Sequence, residues 1–66
     1  MIKEEYRIAL WTFFDEHWGE WTGSQKDFIK FAWKSLVKKG DLDPAQPEEG
    51  IRSFFRREFL PTLVPQ

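Results

Sequence analysis

Three stretches of the chain repeat their apolar residues at helical spacing, and turn-forming residues separate them. Between Lys3 and Trp18, the residues Tyr6, Leu10, Phe13, Phe14 and His17 share one face at about 100° per residue, with Trp11 and Trp18 on its flank. Glu5, Thr12, Asp15 and Glu16 point the other way. The pattern predicts a first helix over about 3–18. Gly19 is placed to end it, ahead of a turn spelled Gly19-Glu20-Trp21-Thr22-Gly23.

A second helix is predicted over 24–39, and its punctuation is the clearest in the chain. Ser24 stands as N-cap with Asp27 three residues on, a capping box in which Asp replaces the usual Glu. Phe28, Ile29, Ala32, Trp33, Leu36 and Val37 form a wide apolar face. Lys38 and Lys39 sit in the last turn, where cations favour the negative end of the helix dipole, and Gly40 supplies a left-handed stop. Residues 41–46 read as an acidic linker, and 43–47 has room for a turn or a short fourth helix. Pro47 suits the first position of a third helix over 47–59, whose stripe is Ile51, Phe55 and Phe59. Pro61 is expected to stop it. Residues 60–66 are then an extended tail, with Leu63 and Val64 folded back over the core or docked on a neighbour.

The predicted fold is all-α, a compact three-helix bundle forming one small domain over 1–66. Its core draws Leu10, Phe13, Phe14 and Trp18 from the first helix and Phe28, Ala32, Trp33 and Leu36 from the second. Ile51, Phe55 and Phe59 come from the third. Composition explains how so short a chain can hold together. With 66 residues and no cysteine, it has no disulfide or thiolate metal site to staple it. A chain of this size buries only about 60% of its unfolded surface. Seven Phe, four Trp and one Tyr point instead to a dense aromatic core.

The net charge of −1 conceals segregation. Lys3 and Arg7 are outweighed by Glu4, Glu5, Asp15, Glu16 and Glu20 in residues 1–20. Five lysines face only Asp27 in 21–39. Asp41, Asp43, Glu48 and Glu49 make 40–50 acidic, and Arg52, Arg56 and Arg57 outweigh Glu58 after it. Pairing of these blocks within one molecule or a dimer is the plain expectation. The four acids of 40–50 lack the spacing, central glycine and terminal bidentate glutamate of a calcium loop, so no metal is expected. No phosphate-binding glycine loop occurs, and no cofactor is expected. The N-terminus lacks a signal-peptide pattern and no apolar run approaches about 18 residues, so a soluble, cytoplasmic protein with no membrane partner is expected.

From Ser24 onward the chain reads Ser-x-x-Asp-Phe28, then Ala32-Trp33, then Glu49-x-Ile51-x-Ser53-Phe54-Phe55. Together with Leu10-Trp11-Thr12-Phe13-Phe14, this resembles the YozE-type SAM-like domains over roughly residues 9–56. The matching positions are mostly apolar, and the linker before Ile51 is longer here. The resemblance implies a SAM-like bundle of four short helices and lends no settled activity.

The candidate functional residues lie on helices two and three. Lys26, Lys30, Lys34 and Lys38 recur every fourth residue, and the last three fall opposite the apolar face. Arg52, Arg56 and Arg57 extend this basic ridge if the two helices pack as neighbours. Phe31 falls on the polar side of helix two, and Phe54 is displaced from the stripe of helix three. Either neighbouring helices or the C-terminal tail cover both rings, or the rings form an exposed aromatic patch amid cations, the composition favoured at interface centres. Trp21, in a turn, is either a lid on the core or part of that surface. His17 reads as a partly buried, hydrogen-bonded core residue with no nucleophile beside it. No cleft with converging polar groups is expected in so small an aromatic core, and an enzyme is not predicted.

The expected function is a non-enzymatic interaction or regulatory module. It binds an acidic protein partner or itself through Lys30, Phe31, Lys34, Lys38, Arg52, Phe54, Arg56 and Arg57. The alternative is a nucleic-acid-binding domain that sets the lysine ridge and the helix-three arginines on phosphates. An overall pI near 5.7 and the absence of a base-reading pattern of Asn, Gln and Arg weigh against that alternative.

Overall fold

A computed structural model describes residues 2–63. The first helix, α1 (Glu4–His17), starts without a side-chain cap, and Glu4 and Glu5 in its first turn favour the positive end of the dipole. It ends one residue earlier than predicted and gives way to a short 3-10 turn over Trp18–Glu20, which contains Gly19. The second helix, α2 (Gln25–Lys39), is bounded as expected. Ser24 Oγ accepts the Asp27 backbone N–H at 3.1 Å. Gly40 adopts φ 86°, its N–H donates to Val37 O, and Asp41 N–H donates to Leu36 O. These two bonds make a Schellman ending, which needs a left-handed residue that glycine supplies without strain.

The linker forms a turn, and no helix appears in it. Gln46 N–H donates to Asp43 O, and Asp43 Oδ1 accepts the Ala45 N–H, both at 2.8 Å. Pro47 remains extended (ψ 140°), so the third helix, α3 (Glu48–Phe54), opens one residue later than predicted. Its end departs further from expectation. α3 continues through a π-helical stretch, Phe55–Phe59, into α4 (Leu60–Leu63), so residues 60–63 are helical and Pro61 does not stop the path. The physical reason is the wider turn. An α-helical Pro61 lacks a donor and presses its ring on the carbonyl four residues back. Here the Leu60 N–H reaches back five residues to Phe55 O, and Thr62 Oγ1 donates to Phe59 O at 2.7 Å. Leu63 is 45% exposed and does not cover the core, and the expectation for Val64 falls outside the described residues.

The core is aromatic and is centred on one ring from each main helix. Phe14, Phe28 and Phe55 are each fully buried. Their ring centroids stand 5.9 Å (Phe14–Phe28), 4.9 Å (Phe14–Phe55) and 5.8 Å (Phe28–Phe55) apart. Trp18 meets Phe28 and Phe55 edge-on, and Trp11 meets Phe59 in the same way. Leu10, Phe13, Ala32, Leu36, Ile51 and Phe59 are buried as predicted, whereas Trp18 and Trp33 pack only at the margin. The Trp33 position has a cause: its Nε1–H donates to Gln46 O at 2.7 Å and ties α2 to the linker.

Three buried residues lie outside the predicted core: Ile29, which completes the apolar face of α2, Leu42 and Phe54. Leu42, within the acidic linker, is drawn under by the tight ending of α2. Phe54 is 3% exposed, which corrects the expectation of an exposed ring. Its ring centroid lies 6.2 Å from that of Phe14, and the Arg7 guanidinium sits 5.9 Å above it. α3 therefore has a broader apolar face than its Ile51/Phe55/Phe59 stripe implies, because the start of α1 also packs on it.

Charge segregation is only slightly relieved inside the molecule. Four ion pairs occur among the described residues, and only Arg7–Glu58, at 3.5 Å, links two helices.

Truncating the central ring tests this picture. Phe14→Ala is expected to cost about 3–5 kcal/mol. A 66-residue chain at about 0.05–0.15 kcal/mol per residue has only about 3–10 kcal/mol to lose. Urea unfolding followed by circular dichroism should show the variant losing about half or more of the wild-type stability. A loss under about 1 kcal/mol would remove Phe14 from the centre of the core.

Candidate interaction surface

α1 and α2 run in opposite directions. Phe13 and His17 meet Phe31, while Ile8 and Ala9 share a groove with Leu36 and Lys39. α3 and the π-helical stretch after it meet α1 and the 3-10 turn: Phe14 packs on Phe54 and Phe55, Trp11 on Phe59 and Trp18 on Phe55. The side carrying Ile8, Phe13, His17 and Phe31 has no covering helix among the described residues.

Phe31 is the centre of this open side. It is 39% exposed on an otherwise polar side of α2, as its position in the sequence indicated. Trp21 lies nearly parallel to it, with centroids 5.2 Å apart and planes at 16°. Phe13 supports it from the core at 5.4 Å, and His17 approaches edge-on at 6.2 Å and 86°. Trp21 is itself fixed by its Nε1–H, which donates to Ser24 O at 2.9 Å. A Cβ at Gly23 would lie 3.1 Å from that nitrogen, so glycine makes room for the indole. His17 departs from expectation. It is exposed, with no side-chain hydrogen bond among the described residues, and it packs on Phe13 at 4.4 Å. As the last residue of α1, it projects beyond the part of the helix that the core encloses.

The charged residues divide between two regions. Lys26, Lys30, Lys34 and Lys38 are exposed along α2, and none is ion-paired among the described residues. Lys34 stands one turn beyond Phe31. The arginines do not extend this row as a group. Arg52 is half-buried and paired with Glu48 at 3.4 Å, with an enclosed Nε that finds no partner. Arg57 donates through Nε to Ser53 O at 3.4 Å, and lines a cleft of about 710 Å³ with Lys3, Arg7, Phe54 and Glu58 at the start of α1. Arg56 is exposed. The structure thus brings Phe31, Lys34 and Lys38 together, leaves Lys30 beside them, and separates Phe54 and Arg57 from them.

Ile8, 61% exposed, was missed by the sequence reading. It borders a groove of about 360 Å³ between α1 and α2. Its signal was available, since Ile8 falls among Glu5, Thr12 and Asp15 on the polar side of its helix, as Phe31 does on α2. Among the described residues no helix is long and apolar enough to cross a membrane. The chain matches no protein-family model, no curated protein and no solved structure.

The exposure of Phe31 has a measurable consequence for stability. Phe31→Ala is expected to cost only about 1–2 kcal/mol, the worth of its ring contacts and partial burial. Denaturant unfolding beside Phe14→Ala provides the comparison, and equal losses would make Phe31 a core residue.

Proposed function

We propose that the chain is a non-catalytic protein-interaction module that works through the Phe31 surface of α2. The observation that carries this reading is Phe31 itself, a large ring held at the surface by Trp21, Phe13 and His17 with lysines alongside. An aromatic anchor fixed before binding loses little conformational freedom on contact, and such anchors dominate interface energetics. The unpaired lysines steer and orient a partner that presents carboxylates next to its apolar contact. Of the residues expected to bind, Lys30, Phe31, Lys34, Lys38 and Arg56 are free to do so. Phe54 is enclosed, Arg52 is half-buried and paired with Glu48, and Arg57 is exposed but lies apart from Phe31, beside the start of α1. The resemblance to YozE-type SAM-like domains adds no activity to this reading.

A photo-reactive amino acid placed at position 31 should give discrete protein adducts in cells. The same group at exposed Ser53, on α3, should not. Equal adduct yields at the two positions would remove the reading.

A nucleic-acid role is the second reading, favoured by four exposed lysines spaced one turn apart, about 6 Å, along α2. In that case Lys30→Glu with Lys34→Glu abolishes retention on duplex DNA at low salt while the helical signal is unchanged. Unchanged retention excludes it.

A further inference from the structure

α2 carries a stripe that no other helix packs over among the described residues, with only the Phe31 ring partly covered, by Trp21, Phe13 and His17. Asp27, Phe31, Lys34 and Lys38 stand at i, i+4, i+7 and i+11, the spacing that keeps side chains on one seam of a helix. All four are exposed, and the three charged ones make no ion pair among the described residues. Laid against a reversed copy of itself, the stripe is complementary: acid meets base at both ends, and ring meets cation at both inner positions.

We propose that α2 pairs with α2 of a second copy of this chain, antiparallel about a two-fold axis crossing the stripe between Phe31 and Lys34. The proposal rests on the interaction reading above and names its partner. Asp27 of each copy faces Lys38 of the other, and Phe31 faces Lys34, so each contact occurs twice, as two-fold symmetry requires. The inner pair sets an ammonium against an aromatic ring. Trp21, stacked on Phe31, holds that ring in place and widens the apolar centre. Charge also selects the direction. A parallel pair would set Asp27 on Asp27, Lys34 on Lys34 and Lys38 on Lys38, and these like-charge contacts oppose it. A contact built on one helix face of a molecule 34 × 23 × 18 Å across lies at the small end of specific interfaces. The association is therefore weak, concentration-dependent and sensitive to salt.

Sedimentation equilibrium of the full chain at low salt, up to about 1 mM, tests the pairing. The wild type should shift from monomer to dimer across the series. Asp27→Lys and Lys38→Asp should each weaken dimerisation by about 2- to 30-fold, which is the effect of one lost exposed charge pair made twice. The double variant Asp27→Lys/Lys38→Asp, and an equimolar mixture of the two single variants, should both recover it. Circular dichroism checks that each variant is folded. The milder pair Asp27→Asn and Lys38→Gln serves the same purpose if a reversal disturbs the helix. A wild type monomeric throughout overturns the pairing, and so does a dimer that the single reversals and Phe31→Ala leave unchanged. If the protein is monomeric while position 31 still gives adducts with other proteins, only the second copy is excluded as partner. Absence of adducts removes the interaction reading itself.

Discussion

The contact among Phe14, Phe28 and Phe55 is the one on which the rest of the molecule depends. Each ring comes from a different helical segment, and each packs against the other two out of contact with solvent. Helices of 14 and 15 residues are marginal alone in water, so α1 and α2 owe their persistence to this shared burial. The edge-to-face approach of Phe14 on Phe55 fits the quadrupole preference of aromatic pairs and gives the junction direction as well as affinity. No buried polar or charged residue interrupts the core among the described residues, so its cohesion rests on apolar area and ring packing.

That junction also shapes the outside. With α3 seated against α1 and α2 on one side, the opposite side of the α1–α2 pair is left to its own residues. The rings there are not simply excess hydrophobicity. Phe31 is supported by Trp21, and Trp21 by the Ser24 carbonyl and by the space at Gly23. The residues that cap α2 thus also fix the aromatic surface, and a surface held this way is ordered before any partner arrives.

Electrostatics contributes little to holding the fold. The Arg7–Glu58 pair spans the bundle, but both side chains are well exposed and such pairs are worth about 0–1 kcal/mol. The other ion pairs join residues two to four apart. Most of the alternating acidic and basic blocks therefore face solvent, where their effect is on approach and orientation of other molecules.

By itself the sequence determined the helical class, the capping residues of α2 and its limits to within one residue, and most of the core. These follow from local causes: period, the Ser24 cap, the left-handed Gly40, and ring-rich faces. Phe31 was legible as well, because an aromatic on the polar side of a well-marked helix conflicts with its pattern. Tertiary structure alone decided the remainder. Phe54 is enclosed because the start of α1 arrives from a distant part of the chain to cover it. Leu42 is enclosed because the ending of α2 folds it inward. Pro61 continues a helix because a π turn, supported by the burial of Phe55 and Phe59, removes the clash that a local rule assumes. The division of the cations had the same origin. Periodicity assigns each lysine or arginine to a side of its own helix, but only the packing of three helices decides which of those sides meet.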